Sequence, residues 1–232
     1  QLKAMYKDSA EKFYSLIKDN LNNNKKTFIV TANPETFSYE KEEDFNKLLL
    51  DENTTIVPDG IGIVKAARMI NYDVKERIAG IDIANKLLEL GNKQKKSIYL
   101  FGSKQEVIDS MKEVLKKDYP NLELVGASNG YEKDKDKVFE KIAKEKPDIV
   151  LVALGIPLQE KLIYKHLDQF NKGIFVGVGG SFDVISGHKK RAPKIFIKLN
   201  LEWLYRILKE PKRLKRFYDS NVKFLFKVKK YK

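Results

Sequence analysis

The chain has 232 residues, of which 42% are hydrophobic and none is cysteine, and its net charge is +13. The lack of cysteine excludes disulfides, thiolate nucleophiles and cysteine-ligated metals, and the apolar runs are too short for a membrane-spanning helix. The charge is uneven, since residues 188–232 carry 16 basic and 3 acidic residues whereas residues 1–187 carry 29 of each. We therefore expect a soluble or peripheral protein with a neutral body and a basic tail.

Short apolar segments alternate along the body with longer amphipathic ones. The short segments predict strands at residues 27–31, 54–57, 97–101, 122–126, 148–154 and 173–178. The longer segments predict helices near residues 7–22, 35–50, 60–70, 80–91, 104–117, 135–145 and 158–169. Continuous apolar strands are typical of a sheet covered on both faces, and the alternation favours parallel strands. The sequence predicts an α/β, Rossmann-like three-layer fold with a mostly parallel sheet over residues 1–187.

The basic tail, residues 188–232, is named the appendage below. Its cations are interleaved with aromatic side chains, namely Phe196, Trp203, Tyr205, Phe217, Phe224 and Phe226. This mixture favours a surface that is both anionic and apolar, such as a layer of lipid headgroups. The alternative is a set of helices that pack their apolar sides on the body. We expect one helix over residues 195–209, a break at Pro211 and a second helix from residue 212.

Polar and glycine residues follow five of the six predicted strands. They are Thr31 and Asn33, Asp59 and Gly60, Asn129 to Tyr131, Gly155 and Gln159, and Gly179, Gly180 and Asp183. Ligands of open parallel sheets bind beyond the carboxyl ends of the strands. Five such loops at one edge therefore predict a cleft.

Each candidate in the cleft has a structural and a functional interpretation. Asp59 is placed to cap a helix or to act as a general base. The glycines at 179 and 180 suit a phosphate held by backbone N–H groups, or any tight turn. Tyr131 suits base stacking or a half-buried loop position, and Arg77 suits a surface ion pair.

The sequence predicts no metal site and no cofactor. Asp134 and Asp136 form a D-x-D string, but they lie at a lysine-rich helix start and are interpreted as a solvated cap. The two histidines, His166 and His188, have no partners at ligand spacing.

Several strings spread in order along the chain resemble one family, the bacterial WecG/TagA/CpsF glycosyltransferases. They are TANPE at 31–35, PDGIGIVKAAR at 58–68, ERIAG at 76–80, LGIPLQE at 154–160, GVGGSFDVISG at 177–187, RAP at 191–193 and LEWLYRILKEPKRLKRF at 201–217. The similarity is closest to the TagA branch, which adds N-acetylmannosamine from UDP-N-acetylmannosamine to undecaprenyl-diphosphate-linked N-acetylglucosamine in wall teichoic acid synthesis. Leu158 departs from the family, which usually has lysine there, and this bears on phosphate contacts or donor choice.

The resemblance implies roles for single residues. It implies a catalytic base at Asp59, substrate positioning by Arg77 and Gln159, and an acceptor-side pocket at Thr31 and Asn33. It further implies that Tyr131 and Asp183 lie near the uracil. The appendage arginines that it places over the active site are Arg206, Arg213 and Arg216.

The mechanism implied is a single inverting displacement without a metal. Asp59 would take the proton of the attacking hydroxyl. Guanidinium groups of the appendage and the Gly179–Gly180 turn would stabilise the departing diphosphate. The implied partners are a UDP-sugar donor, a polyprenyl-diphosphate-linked acceptor and the anionic inner face of the plasma membrane, which the protein would approach from the cytoplasm. The sequence leaves open whether copies of the chain form a homo-oligomer.

Two alternatives remain at this point. Within the family, the donor could carry another sugar, for capsule or exopolysaccharide synthesis. In a different class, a pI of about 9.5 permits a nucleic-acid-binding protein. Against the second alternative, the cations are confined to one end and no helix-turn-helix, RRM or OB signature is present.

Overall fold

A computed structural model describes residues 2–39 and 41–229, and in it six strands form one sheet. The strands are β1 (Thr27–Ala32), β2 (Thr54–Pro58), β3 (Ser97–Gly102), β4 (Glu123–Ser128), β5 (Ile149–Ala153) and β6 (Ile174–Gly177). The spatial order is β2-β1-β6-β5-β3-β4, and every neighbouring pair is parallel. All six predicted strands are confirmed, so their carboxyl ends lie at one edge.

Eight helices belong to the described body. They are α1 (Ala10–Asn22), α2 (Glu43–Leu50), α3 (Ile61–Met69), α4 (Gly80–Gln94), α5 (Gln105–Asp118), α6 (Lys135–Glu145), α7 (Leu158–His166) and α8 (Ser181–Ile185). The helix predicted over 35–50 is instead a 3-10 turn, Thr36–Tyr39, followed by α2; Glu40 within it lies outside the described residues. The short helix α8 has no counterpart among the predicted elements.

The core consists of two apolar layers, one on each face of the sheet. Alternate residues of β1 show the division, because Phe28 and Val30 belong to one layer and Ile29 to the other. Residues of α2, α3, α6 and α7 complete the first layer, and residues of α1, α4, α5 and α8 complete the second. A strand buried on both faces favours apolar residues throughout, as in β5, which reads IVLVA. The two layers confirm the three-layer fold.

The appendage, as far as residue 229, contains four short α-helices. They are α9 (Lys194–Lys198), α10 (Glu202–Lys209), α11 (Arg213–Phe217) and α12 (Lys223–Lys229), the last two joined by a π-helical turn, Tyr218–Val222. The prediction of one helix over 195–209 is wrong, because Asn200 has a φ of +58° and interrupts it. The predicted break at Pro211 is confirmed. Within the described residues, no helix is both long and apolar enough to cross a bilayer.

The appendage has an inner side that packs and an outer side that is exposed. Phe224 stacks on the buried Phe37 of the body with ring centroids 5.8 Å apart, and Trp203 stacks on Phe217 at 4.4 Å. Its exposed large apolar side chains are Ile195, Leu199, Leu208, Leu214, Tyr218 and Phe226. The contacts confirm that part of the appendage packs on the body, and the exposed side chains leave the lipid-surface interpretation as a prediction.

Candidate active site

Asp59 lies directly after β2, at the carboxyl edge of the sheet. Its backbone N–H donates to the carbonyl of Ala32 at 2.7 Å, which fixes it beside the end of β1. The interpretation of Asp59 as a cap of the following helix is wrong, since Gly60 occupies the capping position of α3. The Asp59 carboxylate instead accepts a hydrogen bond from the N–H of Gly80, at the start of α4, at 3.2 Å. Its side chain is 28% exposed, so it is held but reachable.

Arg77 joins Asp59 to the appendage. Its Nε lies 3.5 Å from Oδ1 of Asp59, and its Nη2 donates to Oε2 of Glu202 on α10. Burial lowers the pKa of Arg77, but the carboxylates of Asp59 and Glu202 outweigh this and raise the pKa above its ordinary value. The predicted ion pair of Arg77 is confirmed, but it does not lie at the surface, because the Arg77 side chain is only 13% exposed.

Glu202 is shared between two arginines. Its Oε1 accepts from Nε of Arg191 at 3.2 Å, and Arg191 in turn makes a two-point contact with Asp82 at 2.5 and 2.9 Å. Burial raises the pKa of Glu202, but Arg77 and Arg191 more than offset this, so the pKa is lowered. The hydrogen bond to Asp82 raises the pKa of Arg191. Sequence reasoning missed Glu202, although an acidic residue within an apolar and basic segment is a usable signal.

Thr31 links this cluster to the centre of the sheet. Its Oγ1 donates to the carbonyl of Gly177, at the end of β6, at 3.0 Å. A side chain at Gly80 would begin 3.2 Å from Thr31 and 3.5 Å from Asp59, so the glycine lets the three residues approach. The nearby Asn33 accepts through Oδ1 from the N–H groups of Glu35 and Thr36, where the following 3-10 turn begins. The carboxyl ends of β2, β1 and β6 thus form one continuous surface.

Gln159 fastens two loops of the cleft together. Its Oε1 accepts from the N–H groups of Gly155 at 3.0 Å and of Gly179 at 3.1 Å, and its Nε2 donates to Glu160 at 2.7 Å. Because Gln159 is 2% exposed, we expect it to position the loops rather than to touch substrate. The Gly179 N–H already has this internal partner, which corrects the expectation that it is free for a phosphate. A side chain at Gly179 or Gly180 would meet nothing within 4 Å, so the turn borders open space.

Glu160, next to Gln159, is buried with part of its carboxyl group unpaired. The residue is 1% exposed, and its Oε2 has no hydrogen-bond partner. Burial raises the pKa of Glu160 to about 7.

The residues predicted near a uracil are not joined by any contact that the structure shows. Asp183, on α8 after β6, lies 3.6 Å from Nζ of Lys189. Tyr131 follows β4, which is the outermost strand on the far side of the sheet from β2, and it is 73% exposed.

The appendage arginines differ in how far they are fixed. Arg206 is an exposed residue of α10. Arg213 donates from Nε to Glu210 at 2.7 Å, and the side chain of Arg216 lies outside the described part of the structure. Between this segment and the loop after β1 is a cavity of about 470 Å³. Lys212 and Lys215 line it on the appendage side, and Glu35 and Tyr39 on the body side.

The D-x-D string has structural partners. Asp134 accepts from the N–H of Lys137 at 3.0 Å and caps α6, which confirms that interpretation. Asp136 contacts Lys165 at 2.8 Å and His166 at 2.7 Å. Among the residues that the structure describes, no three acidic or histidine side chains form a group that could hold a metal ion.

Comparison with known proteins identifies the family of the chain. The chain is 46% identical to the N-acetylglucosaminyldiphosphoundecaprenol N-acetyl-beta-D-mannosaminyltransferase of Bacillus subtilis (strain 168), over 81% of this chain and 73% of the relative. It is 36% identical to the protein of the same name in Staphylococcus aureus (strain MW2), over 88% and 80%. The profile of the Glycosyl transferase WecG/TagA/CpsF family matches residues 4–232. The chain therefore belongs to the WecG/TagA/CpsF family of glycosyltransferases.

Proposed function

We propose that this protein transfers N-acetylmannosamine from UDP-N-acetylmannosamine to undecaprenyl-diphosphate-linked N-acetylglucosamine, the linkage step of wall teichoic acid. The observation that carries the proposal is the shared name of relatives that are 36–46% identical over most of the chain. The geometry supports it, because a partly exposed carboxylate, Asp59, lies at the sheet edge where ligands of parallel sheets bind.

Asp59 is the base of the proposed reaction. The acceptor hydroxyl oxygen attacks the anomeric carbon of the donor, and its proton passes to the Asp59 carboxylate. The bond from the anomeric carbon to the diphosphate oxygen breaks in the same step, and UDP leaves with the electron pair. Thr31, near the end of β1, and Asn33, on the loop that follows, are proposed to contact the acceptor.

The leaving diphosphate gains negative charge and needs compensation. Guanidinium groups suit this task, because they pair with phosphate oxygens at two points. Arg206 and Arg213 supply this compensation in the proposal, together with Arg216, and no metal is required. Tyr131 and Asp183 are proposed to contact the uracil, and Arg77 and Gln159 to hold the cleft in shape.

The appendage is proposed to hold the enzyme at the anionic inner face of the plasma membrane. The support is its exposed apolar face, formed by residues such as Leu208, Leu214 and Phe226, beside a net charge of +13 over residues 188–232. Each cation near such a surface contributes about 1 kcal/mol. Co-sedimentation with phosphatidylglycerol vesicles should therefore fall between low and high salt. Binding that does not change with salt, or a preference for duplex DNA over vesicles, would contradict this part.

A donor panel tests the proposed function. The enzyme would be given a lipid-diphosphate-N-acetylglucosamine acceptor with UDP-N-acetylmannosamine, UDP-N-acetylglucosamine, UDP-glucose or UDP-glucuronate. We expect transfer from UDP-N-acetylmannosamine only. Transfer from another donor alone would move the enzyme to a different branch of the family, and the Asp59→Asn variant serves as the background control.

A further inference from the structure

We infer that Glu202 of the appendage is a positioning residue, which keeps Asp59 free to accept a proton by holding Arg77 away from it. The inference rests on the proposed function, in which Asp59 is the base. It concerns a residue of α10 that lies 125 positions from Arg77 along the chain. The appendage would thus contribute to the chemistry through the body and not only at a membrane.

The ionic cluster around Arg77 has an excess of negative charge. Three carboxylates and two guanidiniums form one connected group, namely Asp59, Arg77, Glu202, Arg191 and Asp82. The group has one negative charge more than it has positive charges, so one carboxylate must be incompletely paired. The contacts identify it as Asp59, whose ion pair within this group is a 3.5 Å approach from Arg77 Nε, beside a neutral hydrogen bond from the Gly80 N–H at 3.2 Å.

Burial explains why Arg77 pairs more closely with Glu202 than with Asp59. Glu202 is 3% exposed, and a buried carboxylate cannot exchange its ionic partner for water without a large cost. Asp59, with 28% of its side chain exposed, retains some water. Arg77 therefore donates a hydrogen bond from Nη2 to Glu202, and only a long contact of 3.5 Å joins its Nε to Asp59. Burial raises the pKa of Glu202, but Arg77 and Arg191 outweigh this and lower the pKa, which agrees with this pairing.

Loss of the Glu202 charge should reverse the arrangement. Arg77 would then have Asp59 as its remaining anionic neighbour, and a guanidinium beside a carboxylate tends to form two parallel hydrogen bonds. A carboxylate bound in this way is a poorer base, since its lone pairs and charge are already engaged. Docking of α10 on the body and release of the base are in this way one event.

A crystal structure of the full-length Glu202→Gln variant tests the inference without reference to activity. We expect Arg77 to turn toward Asp59 and to make two N–O contacts of about 3.0 Å or less. An Arg77 guanidinium that stays in place, with its nearest Asp59 contact still at 3.5 Å or beyond, would overturn the inference.

Turnover of two Glu202 variants separates charge from packing. Glu202→Gln keeps the shape and loses the charge, whereas Glu202→Asp keeps the charge on a shorter side chain. We expect kcat to fall about tenfold or more in Glu202→Gln and less in Glu202→Asp, with KM for the UDP-sugar within about twofold of wild type. A packing role gives the opposite order, with Asp worse than Gln, and would contradict us. The control is Glu89→Gln, which removes an exposed carboxylate of α4 and should keep wild-type turnover.

The position of Arg77 can still be tested if the donor panel fails or if the Glu202→Gln variant does not fold. If the wild-type enzyme transfers none of the sugars in the donor panel, the proposed function fails while the crystallographic test still decides the position of Arg77. If Glu202→Gln does not fold, Glu202→Asp is used in its place. We then expect an Arg77–Asp59 contact shorter than in wild type and a lower kcat; no change in both would overturn the inference.

Discussion

Two glutamates are buried among the described residues, and their surroundings are opposite. Glu202 is 3% exposed and faces two guanidiniums, whereas Glu160 is 1% exposed and has one oxygen without a partner. The pKa of the first is lowered by its arginines, and the pKa of the second is raised by burial. Glu202, where the appendage meets the body, has arginines that compensate its charge. Glu160, inside the body, has no cationic partner of this kind within the described part of the chain.

The difference shows what each carboxyl group can do. A paired buried carboxylate keeps its charge over the whole physiological pH range, so Glu202 can hold two separate segments together and direct Arg77. A carboxyl whose pKa is about 7 is protonated for part of that range. Glu160 then accepts from Gln159 through one oxygen and needs no counter-ion. The candidate site is therefore bordered by one pH-insensitive and one pH-sensitive group.

The largest effect on turnover is expected at Asp59, which lies beside the compensated Glu202. Asp59→Asn keeps the shape and a hydrogen-bond acceptor for Gly80 but removes the base, so turnover should fall at least ~100-fold. Binding of the UDP-sugar, measured by calorimetry, should change little. Turnover within threefold of wild type, in a variant with unchanged thermal stability, would remove Asp59 from the mechanism.

The next largest effect is on stability, and it concerns the buried Glu160. Because the Glu160 pKa is raised from 4.5 to about 7 in the folded state, the fold loses stability as pH rises through that interval. Glu160→Gln should therefore stabilise the protein at pH 8, by up to about 3 kcal/mol, and have little such benefit below pH 4.5.

Glu202→Gln should behave in the opposite way. The lowered pKa of Glu202 means that its contribution is present above the unfolded value and is lost as pH falls below about 4.5. Urea unfolding of both variants at about pH 3 and at pH 8 measures the two effects. Equal changes at both pH values would show that neither carboxyl is coupled to folding as described.

The smallest effect is expected from metal removal. If guanidiniums compensate the leaving diphosphate, excess EDTA should leave the initial rate of transfer unchanged. Loss of activity that Mg²⁺ or Mn²⁺ restores would require a metal in the mechanism and would return attention to Asp134 and Asp136.

Much of the fold could be predicted because a doubly covered strand has a distinctive sequence. Apolar runs such as that of β5 predict the central strands, and the residues at the carboxyl ends of β1 and β2 predict Thr31 and Asp59 as neighbours at one edge. The helix break at Asn200 could not be found in this way. No glycine or proline marks it, and the left-handed conformation there is one that asparagine tolerates without being diagnostic of it.

The site was predicted as a set of residues but not as a set of contacts. The family resemblance implies that Gln159 positions the substrate, yet its amide is used by Gly155, Gly179 and Glu160. In the charge pattern Glu202 is only one of three acidic residues of a basic tail, whereas its pairing with Arg77 spans more than half of the chain. Such long-range ion pairs depend on how the appendage docks, which no local pattern in the sequence encodes.

The stereochemistry of transfer tests the central claim most directly. A single displacement assisted by one base inverts the anomeric carbon, so the α-linked sugar of the donor should appear as a β-linked N-acetylmannosamine in the product. Purified product from the wild-type enzyme can be examined by one-bond carbon–proton coupling at the anomeric position. A β-linked product is the expected result; an α-linked product would contradict the assignment of Asp59 as the base of an in-line displacement.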